Sequence, residues 1–166
     1  MKRSPSRNAL RLGTIFALVL GLMSIAQAQT AQNALSQYVT ELQDNRDDSA
    51  LRRRIIYVVR TMDSVPVIPE EARRNYAAAS ALQAGARTIE DVRESIPAYE
   101  SALLFAPWWP EANRDLGLVL EAAQRYDEAI TYLELYMATN PGYEELYGAF
   151  NAIMRIKTQG KWKKPC

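Results

Sequence analysis

Pro107 and Pro141 lie 34 residues apart, and each ends a run of residues with helical periodicity. Apolar residues precede the two prolines at corresponding places, and no stretch of the chain shows the two-residue alternation of a half-buried strand. A self-similar period of about 20 to 50 residues is typical of stacked units, each of which buries its apolar face against the next. The spacing therefore predicts an all-α protein built from antiparallel helix pairs.

The segment 110–141 carries the clearer copy of this repeat, PEANRDLGLVLEAAQRYDEAITYLELYMATNP. It strongly resembles a tetratricopeptide repeat. Four positions match the pattern of that family: Leu116, Gly117, Ala129 and Pro141. At the three positions where the family pattern has aromatic residues, this chain has Asn113, Leu120 and Leu133. A physical reason supports the matches, because two helices can approach closely only where a small residue such as Gly117 or Ala129 faces the neighbour.

The resemblance implies a short right-handed solenoid of antiparallel helix pairs with flanking capping helices. A divergent copy covers about residues 70–107, with a connection between its helices that is several residues too long. Residues 34–62 are interpreted as a degenerate first repeat or an N-terminal cap, and a helix from Tyr143 as the C-terminal cap. We therefore expect about seven helices in a domain spanning 29–159, followed by a basic, flexible tail at 160–166.

The first 28 residues are typical of a secretory signal peptide. Residues 1–11 carry four basic residues and no acid, residues 12–25 are uncharged, and Ala26-Gln27-Ala28 provides small residues at a cleavage site. The apolar run is about 14 residues long, short of the roughly 20 that span a bilayer. We predict cleavage after Ala28 and a periplasmic or secreted protein. The alternative is an uncleaved signal that tethers a scaffold to the membrane.

The composition excludes several classes of function. Without residues 1–28 the formal net charge is −3, which does not favour a general nucleic-acid binder. The chain has no His and one Cys, so it lacks His-dependent catalysis, the commonest zinc ligands and an intramolecular disulfide. No cofactor is predicted. Cys166, the last residue, is expected to be an incidental thiol or to link two chains by a disulfide.

In the tetratricopeptide family, the first helix of each pair lines a concave groove that holds peptides or partner helices. By this resemblance, the groove-facing candidates of the 110–141 copy are Glu111, Arg114, Leu118 and Glu121. Those of the 70–107 copy are Glu71, Arg74, Ala78 and Ala81. Asp115 stands where some members carry an Asn that clamps a peptide carboxylate, so that clamp is not expected. The resemblance and the signal together predict a non-catalytic periplasmic adaptor that binds another protein.

Three other features compete for a functional role. Trp108 and Trp109 are expected to be packing residues, with one of them a candidate anchor for a partner. The run Arg52-Arg53-Arg54 is interpreted as a solvated helix face. A carboxylate-dependent hydrolase is the alternative function, with Glu111 and Glu121 as its best carboxylate pair. The acidic pairs elsewhere begin helices, where negative charge favours the helix dipole.

Overall fold

The computed structural model describes residues 29–162, with side chains described as far as residue 159. The described residues contain helices and no strand, which confirms the predicted all-α class. Residues 29–44 form α1. The seven helices that follow are α2 (Ser49–Arg60), α3 (Glu70–Gly85), α4 (Ile89–Glu94), α5 (Ile96–Phe105), α6 (Pro110–Ala122), α7 (Tyr126–Ala138) and α8 (Tyr143–Trp162).

Short-range signals set most of the helix boundaries. The Asp48 carboxylate accepts a hydrogen bond from the backbone N–H of Leu51 at 2.8 Å, which caps the start of α2. Thr88 and Asp91 form the predicted capping box. It opens a complete short helix, α4, where the sequence predicts only a turn, and α4 runs almost directly into α5. Pro110 is the first residue of α6, a position that needs no backbone N–H.

Two pairs of helices make the most extensive contacts, α6 with α7 and α3 with α5. The pair α6 and α7 is joined by a turn in which Gln124 takes a φ of 64°. The pair α3 and α5 is linked through α4, and α8 packs against α7. At the α6–α7 crossing, a Cβ on Gly117 would lie 2.8 Å from the Leu133 Cγ atom. The predicted close approach at Gly117 is therefore confirmed.

Two apolar clusters form the core. The central one joins α3, α5, α6, α7 and α8, with Tyr99 and Leu116 fully buried in it. The second joins α1 and α2 to α3, α5 and α7. In it, α2 packs chiefly against α7 rather than against α3, and Arg53 pairs with Glu134 of α7 at 3.5 Å. The sequence did not predict this contact between α2 and α7.

Arg52 is buried, with 3% of its surface exposed, so the interpretation of 52–54 as a solvated face is wrong for this residue. Its guanidinium donates to the carbonyl oxygens of Leu103 and Arg46, both at 2.9 Å. The Leu103 carbonyl needs such a donor because the residue four positions on is Pro107, which has no N–H. Arg52 thus completes the end of α5 from a different helix. Its guanidinium also lies over the Tyr132 ring, 5.6 Å from the centroid.

The corner between α5 and α6 buries the two tryptophans on different sides. Trp108 is buried in the cluster around α2, and half-buried Trp109 lies against the Tyr76 ring at 4.5 Å. Fully buried Asn113 holds the corner, since its amide donates to the carbonyls of Pro107 at 2.9 Å and Trp109 at 2.8 Å. Buried Trp108 is a packing residue, whereas Trp109 packs against both apolar clusters and keeps part of its surface exposed.

Candidate functional site

A groove of about 330 Å³ lies between α6 and α8, over α7. Leu118 of α6 stands on one side with 39% of its surface exposed, and buried Leu133 and Tyr136 of α7 form the floor. The opposite side belongs to α8, where Gly148, Ala149 and Ala152 are too small to fill the space. Three charged side chains line the groove: Arg114, Glu145 and Arg155.

Glu121 and Arg155 bridge α6 and α8 beside this groove. The Arg155 guanidinium donates from Nε and Nη2 to the two carboxylate oxygens of Glu121, at 2.8 and 2.7 Å. This two-bond geometry is the strongest arrangement of an Arg–carboxylate pair. Both carboxylate oxygens of Glu121 are therefore occupied by Arg155, which lines the groove. The bridge also fixes the distance between the two walls.

Arg114 lies at the groove, but it also belongs to a polar seam between α3 and α6. Its Nε donates to Asp115 at 2.8 Å, and the Tyr76 hydroxyl donates to the same carboxylate at 2.6 Å. Burial, followed by the hydrogen bond to Asp115, raises the pKa of Tyr76 to about 12. The Tyr99 ring meets Tyr76 edge-on at 5.6 Å, and its hydroxyl donates to Gln83. The seam thus ties the α3–α5 pair to α6.

Tyr76→Phe is expected to lower the free energy of unfolding by about 1 kcal/mol at pH 7, because Asp115 loses one donor. The loss should shrink as the pH rises through the window from about 10 to 12. Between these pH values Tyr76 stays protonated in the folded state but ionises in the unfolded chain, which lowers the free energy of unfolding of the native protein. The Phe variant has no hydroxyl at this position and does not lose that contribution. Urea unfolding at pH 7 and 10.5 measures the difference. If the native chain and the variant differ in their free energy of unfolding by the same amount at both pH values, the assigned role of the hydroxyl is contradicted.

The predicted site residues fall into three groups. Arg114 and Leu118 line the groove, and Glu121 borders it through Arg155. Glu71 and Arg74 instead pair with each other on the exposed face of α3, at 3.5 Å, and do not line the groove. Glu111 also lies outside its lining. The structure therefore brings together only part of the predicted surface.

The carboxylate pair of the hydrolase hypothesis does not converge. Glu111 and Glu121 are ten residues apart on the continuous helix α6, which places their Cα atoms about 15 Å apart. Glycosidases hold their two carboxyl groups roughly 5 to 9.5 Å apart. In addition, both oxygens of Glu121 are occupied by Arg155. The geometry of this pair therefore gives the hydrolase hypothesis no support.

Sequence reasoning missed the wall that α8 contributes. A capping helix was expected there, whereas Glu145, Gly148 and Arg155 supply much of the lining. The small residues at 148, 149 and 152 could have indicated a face that leaves space beside it.

A smaller cleft of about 170 Å³ was also missed; it includes Arg52, Asp47 and Glu100. There burial raises the pKa of Glu100, and the charge of Arg125 at 3.7 Å opposes that rise.

Comparisons of the chain with models of protein families, with curated proteins and with solved structures find no match. Within residues 29–162, no helix is long and apolar enough to cross a membrane, and no group of acidic, Cys or His side chains could hold a metal ion. The predicted signal peptide at 1–28 and Cys166 lie outside the described residues. The resemblance to tetratricopeptide repeats therefore rests on the residues of the repeat itself.

Proposed function

We propose that this chain is a non-catalytic adaptor that binds a peptide segment of another protein in the groove between α6 and α8. The observation that carries the proposal is the groove itself, which has an apolar floor and charged edges. Such a surface can take an apolar side chain of a partner at Leu118, while Arg114 and Glu145 bind its polar flanks. A mixed-charge, amphipathic segment is the matching partner.

The proposed architecture is a short, right-handed solenoid of the tetratricopeptide kind. The 34-residue spacing, the close approach of Gly117 to Leu133 and the packing of α8 on α7 support it. In such a solenoid α3 and α6 are the first helices of their pairs, and α8 follows as the C-terminal cap. A groove walled by α6 and α8 then lies on the concave side, where this family binds its partners.

The proposed location is the periplasm, and its support is the signal-like sequence of residues 1–28. The intact mass of the exported protein tests it. A chain that begins at Gln29 is the expected species. A mass that includes residues 1–28 would instead favour the membrane-tethered scaffold.

Leu118→Lys is expected to weaken partner binding about 30-fold, because an apolar contact worth about 2 kcal/mol is replaced by a desolvated charge. Folding stability should change little, since the side chain is partly exposed. The partner is first identified with a photo-crosslinking residue at position 118 in cells. Its affinity for the purified native chain and for the variant is then measured by calorimetry.

Leu82 on α3 provides the matched control. It is an exposed leucine of similar accessibility, 42% against 39% for Leu118, and it does not line the groove. A crosslinker at position 82 should not capture the same protein, and Leu82→Lys should leave the affinity unchanged. Equal capture at both positions, or equal affinity of Leu118→Lys and the native chain, would place binding elsewhere. Arg114→Glu is a poorer test because it also removes the ion pair with Asp115.

A further inference from the structure

The smaller cleft, of about 170 Å³, lies where the turn between α1 and α2 meets α5 and α7. We call it the polar cleft, because six of its lining side chains are charged or carry a hydroxyl group: Arg46, Asp47, Arg52, Glu100, Ser101 and Tyr132. None of these residues lines the groove between α6 and α8, so an inference about the polar cleft does not depend on the proposed function. A cavity of about 150 Å³ holds a molecule the size of benzene, so the polar cleft suits a ligand of roughly six to eight heavy atoms.

The polar groups inside this cleft lack internal hydrogen bonds. The side chains of Glu100, Ser101 and Tyr132 are half-buried, yet they form no hydrogen bond with another residue in the described part of the chain. The Glu100 carboxylate lies 3.7 Å from the Arg125 guanidinium, which is beyond hydrogen-bonding distance. Arg125 itself donates from Nε to the Glu128 carboxylate at 2.7 Å. Polar groups drawn away from bulk water normally have a partner, so three such groups in one cleft indicate a place for a polar ligand.

The charges around the polar cleft have both signs. Asp47 and Glu100 are acidic, and Arg46 and Arg52 are basic. Buried Arg52 is a fixed positive charge, since its guanidinium donates to the carbonyl of Leu103, about one turn after Glu100 on α5. The Arg46 side chain is exposed and makes no ion pair with another described residue. A ligand of one charge would meet a like charge in this cleft, whereas a ligand that carries both signs can place each beside its opposite.

We propose that the polar cleft binds a small amino acid in its zwitterionic form. The Glu100 carboxylate accepts hydrogen bonds from the ligand ammonium group, and the Arg46 guanidinium donates to the ligand carboxylate. A primary ammonium suits the inner part of the cleft because its three N–H donors can also reach the Ser101 and Tyr132 hydroxyl oxygens. L-Alanine, L-serine and L-valine have the size that the cleft accommodates.

Calorimetric titration of the purified native chain with L-alanine, L-serine and L-valine tests the proposal. At least one of them should bind with a dissociation constant below about 1 mM, well within the ceiling for so small a ligand. The amide of that amino acid lacks the carboxylate, and its N-acetyl derivative lacks the ammonium group. Each should bind at least about tenfold more weakly, because one charge of the cleft loses its partner.

Two results of this titration would overturn the proposal. One is that none of the three amino acids binds at concentrations up to about 10 mM. The other is that the amide or the N-acetyl derivative binds as tightly as the amino acid. The amide resembles the first residue of a protein and the N-acetyl derivative resembles the last, so tight binding of either would identify a chain end, and not an amino acid, as the ligand.

Substitutions in the cleft assign the two ends of the ligand. Glu100→Gln and Arg46→Gln should each weaken binding of the amino acid at least about tenfold. Glu100→Gln should also bind the amino acid and its N-acetyl derivative equally, since the group that distinguishes them is gone. Arg46→Gln should likewise bind the amino acid and its amide equally. If either variant binds the amino acid as the native chain does, the ligand is not held by these two charges and the proposal is wrong.

The chain offers matched controls for both substitutions. Glu94 and Arg87 are exposed, carry the same charges and lie outside the lining of the polar cleft. Glu94→Gln and Arg87→Gln should leave the affinity for the amino acid unchanged. Leu118→Lys should also leave it unchanged, so loss of partner binding at the groove and loss of the amino acid are separate results. Circular dichroism of all the variants confirms that the helices are retained.

Discussion

Gly117→Leu is expected to lower the free energy of unfolding by about 3 kcal/mol, at the upper end of the usual range for overpacking. Even a Cβ at this position would lie 2.8 Å from the Leu133 Cγ atom and 3.3 Å from its backbone nitrogen. Leu133 is fully buried, so its side chain has no room to move away. The helices α6 and α7 must therefore separate, and urea denaturation measures the loss.

Gly148 is the matched control, because it too lies inside a helix but has no atom near its Cβ position. Gly148→Leu should raise the free energy of unfolding by up to about 1 kcal/mol, since it restores helix propensity without a clash. The same variant fills the groove and should abolish partner binding under the proposed function. If Gly117→Leu and Gly148→Leu have similar stabilities, the close crossing of α6 and α7 does not exist as described.

The sequence predicted those features of the fold that depend on residues close together in the chain. Proline placement and the Thr88–Asp91 capping box set boundaries that the structure confirms. Gly117 could also be identified, because a small residue at a fixed place in a repeat has a steric reason. Such signals act between residues close together in the chain, where a side chain meets its own backbone or the next helix of the same pair.

Features that depend on distant parts of the chain could not be predicted in the same way. Arg52 is buried because it reaches a carbonyl of α5 that Pro107 leaves without a donor, 51 residues away in sequence. The groove needs α8 beside α6, which the bridge from Arg155 to Glu121 fixes. In each case the partner is supplied by tertiary packing, and periodicity alone does not report which helix faces which. Of the predicted groove residues, Arg114 and Leu118 line the cavity, and its second wall is α8 rather than the predicted α3.

Asn113→Asp is expected to lower the free energy of unfolding by about 4 kcal/mol at pH 7. The fully buried Asn113 amide donates to two backbone carbonyls of the α5–α6 corner, those of Pro107 and Trp109. A carboxylate has no proton to donate, so it would lose both hydrogen bonds and bring a negative charge toward two carbonyl oxygens. The bond to the Pro107 carbonyl is buried and the bond to the Trp109 carbonyl is partly buried, and the Trp109 carbonyl keeps its bond from the Asn113 backbone N–H.

The pH dependence of this variant separates the charge from the change of shape. Burial beside carbonyls favours the neutral acid and raises the pKa of the introduced carboxyl above its unfolded value of about 3.9. The stability of the variant should therefore be closest to that of the native chain below about pH 4, where the protonated carboxyl donates one hydrogen bond. The free energy of unfolding of the variant should then decrease relative to the native chain as the pH rises to 7. Asn75→Asp is the control, because the Asn75 amide also donates to a backbone carbonyl, that of Glu71 at 2.9 Å, but at the surface. Asn75→Asp should lower the free energy of unfolding by less than about 1 kcal/mol. A large, pH-independent loss in Asn113→Asp would show that the corner fails through its shape rather than through the missing donor.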